Sequence, residues 1–293
     1  MNPTTPALVS LFIGIVVFAL KYTAFYLTGS VALYSDALES IVNIVAAGLA
    51  LLALWVAGQP ADQNHPYGHS KAEYFSAVLE GVLIVLAALS IGRAAIVGLQ
   101  NPKALEGIGW GAVVSLLATL LNLGLALYLS KSGKRFKSPA LIADGKHIFS
   151  DVVTSVGVLV GVGLAYWTRI YWLDPLLALA VALNFLWTGW HLMRESVGGL
   201  MDEAPAQELL EQVREVVASH GQGALEVHGL RARRAGRLLF IEFHLVVPGR
   251  LSVAQAHQIC DKIEDALELA LDPVEVSIHV EPESKAEHEG ILM

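Results

Sequence analysis

The chain has 293 residues, of which 55% are hydrophobic, and a mean hydropathy of +0.56. That is too apolar for an ordinary water-soluble protein, and the excess sits in the first two-thirds, so a membrane domain followed by a soluble tail is expected. A formal net charge of −8 argues against nucleic acid and against a polybasic lipid-binding tail, while the single cysteine, Cys260, excludes an intramolecular disulfide and a cysteine-only zinc site.

Six apolar runs are long enough to cross a bilayer: roughly Pro6–Leu27, Val31–Val56, Ala72–Leu99, Ile108–Leu129, Pro139–Tyr166 and Pro175–Leu200. The amino terminus has no basic leader and no small-residue cleavage pattern, so the first run is expected to remain as a span. Between the fourth and fifth runs lie Lys131, Lys134, Arg135 and Lys137, which the positive-inside rule assigns to the cytoplasm. Alternation then puts both termini and the Ala57–Lys71 loop inside. Trp110, Trp167 and Trp172 fall near the outer interface and Trp55 near the inner one. Lys21 and Arg93 read as charges snorkelling toward the outer interface, and Glu80 as a candidate ion-path residue.

Two spans carry the same polar ladder. Asp36, Glu39 and Asn43 in the second match Asp144, His147 and Asp151 in the fifth, position for position. Residues four apart stack on one helix face. Carboxylates and imidazole inside a bilayer are costly without a partner or a task. Polar glue between packed helices is the bland reading. Two carboxylates and an imidazole favour instead a shared four-ligand metal site of Glu39, Asn43, His147 and Asp151, with Asp36 and Asp144 in supporting roles. A divalent cation there needs deprotonated ligands, so its binding releases protons.

The loop after the second span presents Asp62, His65 and His69, with Pro66 and Gly68 enforcing a tight turn. Spacing alone leaves two readings open, solvated histidines or a metal site. The soluble tail reads as helix (Ala204–Ala218), strands (Leu225–Arg234 and Arg237–Val247), a helix opened by a Ser252/Gln255 capping box and running to about Ala270, and a last strand (Val274–Glu281). This α-β-β-α-β order predicts helices on one face of a three-stranded sheet. Leu239, Ile241, Phe243, Leu245 and Val247 then face the core with Val274, Val276, Ile278 and Val280. His228, His244, His279 and Glu281 fall on the opposite face as a second metal-site candidate, which His257 on the following helix could join. No HExxH, P-loop or Gly-x-Ser-x-Gly is present, so no hydrolytic machinery and no enzyme is expected.

Several motifs resemble those of the cation diffusion facilitator transporters, proton-coupled exporters of divalent metals. They are Ser35-Asp36-Ala37-Leu38-Glu39, Gln59-Pro60-Ala61-Asp62, His65-Pro66-Tyr67-Gly68-His69-Ser70-Lys71-Ala72-Glu73, and Asp144-Gly145-Lys146-His147 with Ser150-Asp151, followed by the αββαβ tail. The resemblance implies a homodimer of six-span protomers, with a six-helix transmembrane domain (1–200) and a cytoplasmic metallochaperone-like domain (201–285), in a prokaryotic inner membrane; residues 286–293 are expected to be a disordered tail. It implies transport of Zn²⁺, with Cd²⁺, Mn²⁺ or Fe²⁺ as other candidates, through Glu39, Asn43, His147 and Asp151. It also implies a loop site at Asp62, His65 and His69, and a dimer-stabilising site at His228, His244, His257, His279 and Glu281. A salt bridge between Lys71 and Asp202 is implied as the link between domains. Zinc members present Asp or His and then Asp in the second span; this chain has Glu39 and Asn43, which leaves one titratable group fewer. An intramembrane metal-dependent hydrolase and a membrane metal sensor are the readings from other classes.

Overall fold

The computed structural model describes residues 4–105, 107–136, 139–271, 273–287 and 290–292. Its long helices are α1 (Thr4–Thr28), α2 (Val31–Ala57), α3 (Ala72–Gln100), α4 (Ile108–Phe136), α5 (Pro139–Thr168) and α6 (Leu173–Leu200). All six are long and apolar enough to cross a membrane, and they coincide with the expected spans, α4 running seven residues further, to Phe136. The chain divides into two compact units, Met1–Leu51 with Ser76–Met193, and Leu52–Phe75 with Arg194–Met293. The α2–α3 connection and the adjoining helix ends therefore cluster with residues 194–293.

In the first unit the helices pack through small residues. Ala87, Ala88 and Ala95 of α3 meet Ala178, Ala182 and Phe185 of α6 in one buried cluster. A Cβ on Gly81 would stand 3.0 Å from the Gly189 carbonyl, and one on Gly189 would stand 3.0 Å from that of Gly81. Where hydrocarbon surrounds the helices, close backbone approach of this kind supplies the packing attraction.

The α1–α2 corner shows how local chemistry and packing combine. Gly29 takes φ +64°, a left-handed conformation that ends α1. Ser30 then caps α2, its Oγ accepting the Leu33 N–H at 3.1 Å. The buried Asp174 carboxylate, from the first turn of α6, accepts the Val31 and Ala32 N–H groups at 2.7 and 3.3 Å and the Ser30 hydroxyl. An anion thus sits at the positive end of α2 and ties it to α6. Asp174→Ala is expected to lower stability by about 1–2 kcal/mol, read as a fall in Tm in detergent, with Asp174→Asn losing less.

The second unit contains α7 (Gln207–His220), β1 (Glu226–Ala235), β2 (Leu238–Val247), α8 (Val253–Leu271), β3 (Val274–Pro282), a 3-10 turn (Glu283–Lys285) and β4 (Ile291–Leu292). Helix α7 starts at Gln207, three residues later than expected: Pro205 disfavours helical backbone at Ala204, and Ala206, at ψ 145°, is the non-helical cap. The capping box forms: Ser252 N–H donates to Gln255 Oε1 at 2.9 Å, and the Gln255 N–H donates to Ser252 Oγ at 3.3 Å. The sheet order is β3-β2-β1-β4, with β1–β2 antiparallel and β2–β3 parallel. The expected core face is observed: Leu239, Ile241, Phe243, Leu245 and Val247 are buried against Val213 and Val217 of α7 and Ile259, Ile263 and Leu267 of α8. Burying each such side chain contributes roughly 1.5–3 kcal/mol. Within the expected tail, Ile291 and Leu292 pair with Val227 and Glu226 as an edge strand, while residues 288, 289 and 293 lie outside the described residues.

Candidate metal centres

Helices α2 and α5 meet at the two polar ladders. Asn43 Nδ2 donates to Asp151 Oδ2 at 2.8 Å, and Asp151 is 7% exposed. Glu39 is half-buried one turn along α2, and His147 is exposed one turn along α5. Glu39 and His147 both lie within electrostatic reach of Asp151, and His147 also within reach of Glu80. The structure therefore joins Asn43 to Asp151 and leaves Glu39 and His147 flanking them. Among the described residues, Glu39, His147 and Asp151 do not bring their ligand atoms within 4.8 Å of one another. The Asp144 side chain and His288 lie outside the described residues.

One turn from Glu39, a buried network corrects the reading of Lys21. Its ammonium is 1% exposed and pairs with Asp36 Oδ1 at 2.8 Å, so it does not snorkel. Ser155 Oγ donates to the same oxygen at 2.6 Å, which binds α1, α2 and α5 at one atom. The signal in the sequence was the unpaired acid one turn before Glu39: a lysine at membrane depth with an available aspartate pairs rather than reaching for water.

In the α2–α3 loop, Asp62 Oδ1 accepts the Asn64 and His65 N–H groups at 2.8 and 2.7 Å, and Gly68 turns the chain at φ +78°. That turn folds both imidazoles onto the carboxylate. His65 Nδ1 is 3.2 Å from Asp62 Oδ1, His69 Nε2 is 3.5 Å from Asp62 Oδ2, and the two rings' nitrogens are 3.1 Å apart. All three residues offer a ligand atom within 4.8 Å of the others. The backbone N–H of His65 and then that of Asn64 hold the Asp62 carboxyl below its usual range, so it stays anionic and available to a cation.

On the sheet, His228 pairs across from His244, and His244 from His279, in one row over β1, β2 and β3. Glu281 gathers them: its oxygens lie 3.4 Å from His228 Nε2, 3.5 Å from His244 Nδ1 and 3.6 Å from His279 Nε2. Ligand atoms of His228, His244 and Glu281 fall within 4.8 Å of one another. His257 does not join them. It is 72% exposed on α8, the helix packed on the other face of the sheet, and lies 3.6 Å from Asp261.

Lys71 Nζ donates to Asp202 Oδ1 at 2.8 Å and to the Leu200 carbonyl at 3.3 Å. Arg233, which the sequence reading missed, adds Nη1 to the same Asp202 oxygen at 3.3 Å while its guanidinium lies 4.2 Å from the Phe240 ring centre. The Lys71 hydrogen bond, then the charges of Lys71 and Arg233, hold the Asp202 carboxyl below its usual range. A depressed carboxyl contributes stability above about pH 3.9 that is lost as pH falls through the folded value. Asp202 is 46% exposed, so Asp202→Asn is expected to cost less than about 1 kcal/mol at pH 7. The deficit in Tm should shrink with added salt and narrow below about pH 4.

Six membrane-length helices followed by an α+β domain, with His/carboxylate clusters in the loop and on the sheet, define a membrane metal-handling protein. Residues 7–201 match the cation efflux transmembrane domain and residues 205–283 the cation efflux protein cytoplasmic domain, and the chain belongs to the cation diffusion facilitator family of cation efflux proteins. The uncharacterized transporter sll1263 of Synechocystis is 44% identical over 94% of this chain and 89% of its own length. The cation-efflux pump FieF of Klebsiella pneumoniae is 33% identical over 90% of this chain and 88% of its own. Among solved structures, the zinc form of CzrB is 45% identical over 29% of this chain and 98% of that one, with a TM-score of 0.28. The protein is thus an integral membrane transporter for metal efflux, and its bacterial relatives imply the inner membrane.

Proposed function

We propose that the chain exports Zn²⁺ from the cytoplasm in exchange for protons, as a homodimer with both termini cytoplasmic, and that Cd²⁺ is an accepted substitute. The observation that carries the transport site is the contact of Asn43 with Asp151, which couples α2 to α5 at the level of Glu39 and His147. Glu39, His147 and Asp151 bind the ion and exchange protons for it; Asn43 completes the shell and holds the Asp151 carboxylate. Because the ligands must shed protons to bind metal, loading on one side and reprotonation on the other couple the two flows. Alternating access then exposes the site to each side in turn.

Zinc is favoured by the donor sets of the loop and the sheet, two imidazoles and one carboxylate in each. The amide at position 43 supports a second reading within the same class, since an oxygen-richer membrane site suits Mn²⁺ or Fe²⁺. Cytoplasmic metal on the sheet draws the two tails together; His257, remote from the cluster in its own chain, is a ligand a second copy would supply. Proteoliposomes tested with Zn²⁺, Cd²⁺, Mn²⁺, Fe²⁺ and Co²⁺ and an internal pH dye decide among these. Zn²⁺ flux with opposed proton movement is the expected result. Metal binding without flux would point to a sensor, and turnover of a lipid or peptide to a hydrolase. Asn43→Asp should shift the order of preferred metals.

A further inference from the structure

The chain continues past the family's cytoplasmic domain, which ends at residue 283, and returns to the sheet-face cluster. The 3-10 turn reverses it after β3, and Ile291 and Leu292 pair with β1 at Val227 and Glu226. The Glu287 N–H donates to Glu226 Oε1 at 3.2 Å. A Cβ on Gly290 would collide with the Val227 carbonyl and stand 3.0 Å from Glu226 Cγ and Oε1, so the backbone passes there only as glycine.

This passage brings a carboxylate that no sequence feature singled out. Glu287 Oε1 lies 3.8 Å from His228 Nε2, the nitrogen that also faces Glu281. The other nitrogen, Nδ1, is fully buried and faces Glu226 Oε1 at 3.2 Å, close but not aligned for a hydrogen bond. His228, His244 and Glu281 bring three ligand atoms within 4.8 Å of one another, His279 stands 3.6 Å from Glu281, and Glu287 lies just outside that group on the His228 side. A metal-bound imidazole commonly gives its second N–H to a carboxylate, which fixes tautomer and ring orientation.

From this geometry we infer that the carboxyl-terminal strap adds a ligand to the cytoplasmic metal site. Glu287 joins the ion's ligands through Oε1 on the His228 Nε2 side, beside the histidine row and His257 of a second copy, and Glu226 is a positioning residue that keeps His228 Nε2 turned toward the ion. Glu287 is 63% exposed, so its carboxylate reaches the ion without repacking the core. The strap is thereby pinned against β1 when metal is bound. The inference rests on reading His228, His244 and Glu281 as a metal site, and the test separates the two.

The full chain in lipid nanodiscs is loaded with Co²⁺ for its visible spectrum and with Zn²⁺ for hydrogen exchange. The difference from a His244→Ala variant isolates the tail site from the other sites. Metal is expected to slow exchange at residues 283–292 at least about tenfold, as local opening is suppressed. Glu287→Gln should abolish that slowing, alter the Co²⁺ band and weaken tail-site affinity about tenfold. Glu226→Gln keeps an acceptor for the Glu287 N–H, so the strap stays bound, yet the Co²⁺ band should move; Glu226→Asp should restore it. Unchanged spectrum and exchange in Glu287→Gln, with binding still abolished by His244→Ala, overturns the inference and leaves the site standing. Binding unaffected by His244→Ala removes the site reading and the inference together.

Discussion

Asp151→Ala is expected to reduce metal flux into proteoliposomes about 100-fold or more. Asp151 joins α5 to α2 at Asn43, and its loss removes both an anionic ligand and the acceptor of the Asn43 amide. Breaking one half of a buried, hydrogen-bonded pair of this kind costs about 2–5 kcal/mol, and every 1.4 kcal/mol is a factor of ten. Asp151→Asn separates the two roles. It preserves shape and much of the hydrogen bonding but not the charge, so it should also fail to transport and should fail to move protons. A pH dye inside the vesicles reads proton movement alongside metal uptake. Flux above half the wild-type rate in Asp151→Ala would sink the assignment of this site to transport.

The second large effect is expected at Lys21, as a loss of stability. Lys21→Met strands the Asp36 carboxylate, 2% exposed and still bonded to Ser155, without its counter-ion. Removing one member of a buried ion pair costs about 3–5 kcal/mol, because the remaining charge stays desolvated. The double variant Lys21→Met/Asp36→Leu removes both charges and should recover most of the loss, since apolar replacement of a buried pair is often neutral. Thermal unfolding in detergent measures both. The charges of Lys21 and Asp36 also reach Glu39 and Asp151, so the double variant, though stable, should bind metal with altered affinity. A single variant within about 1 kcal/mol of wild type would show that the pair is only a surface-like contact.

These two residues illustrate how unevenly the sequence disclosed the molecule. Asp151 was legible because its spacing from His147 repeats that of Asn43 from Glu39, and an intramembrane carboxylate has few bland explanations. Lys21 was visible but misassigned, because the direction a long side chain takes depends on which helix lies beside it. Asp174 and Arg233 gave no local signal; each acts on groups far along the chain, at the α2 N-terminus and at Asp202.

Composition and periodicity by themselves determined the six membrane spans, the αββαβ tail and which sheet face of β2 and β3 is apolar. Those features follow from hydrophobic length and from strict two- and 3.6-residue repeats, which are properties of the chain read locally. Tertiary structure alone decided the meeting of particular polar atoms. In β1 the register shifts between His228 and Arg231, with Gly229 at φ +64°, and this bulge puts His228 on the face opposite Leu230 and Ala232. Unbroken alternation would have placed all three together, so the histidine row depends on one extra residue in the ladder. The strap of Glu287, Gly290 and Ile291 is likewise invisible in sequence, because short polar segments take their conformation from the surface they land on.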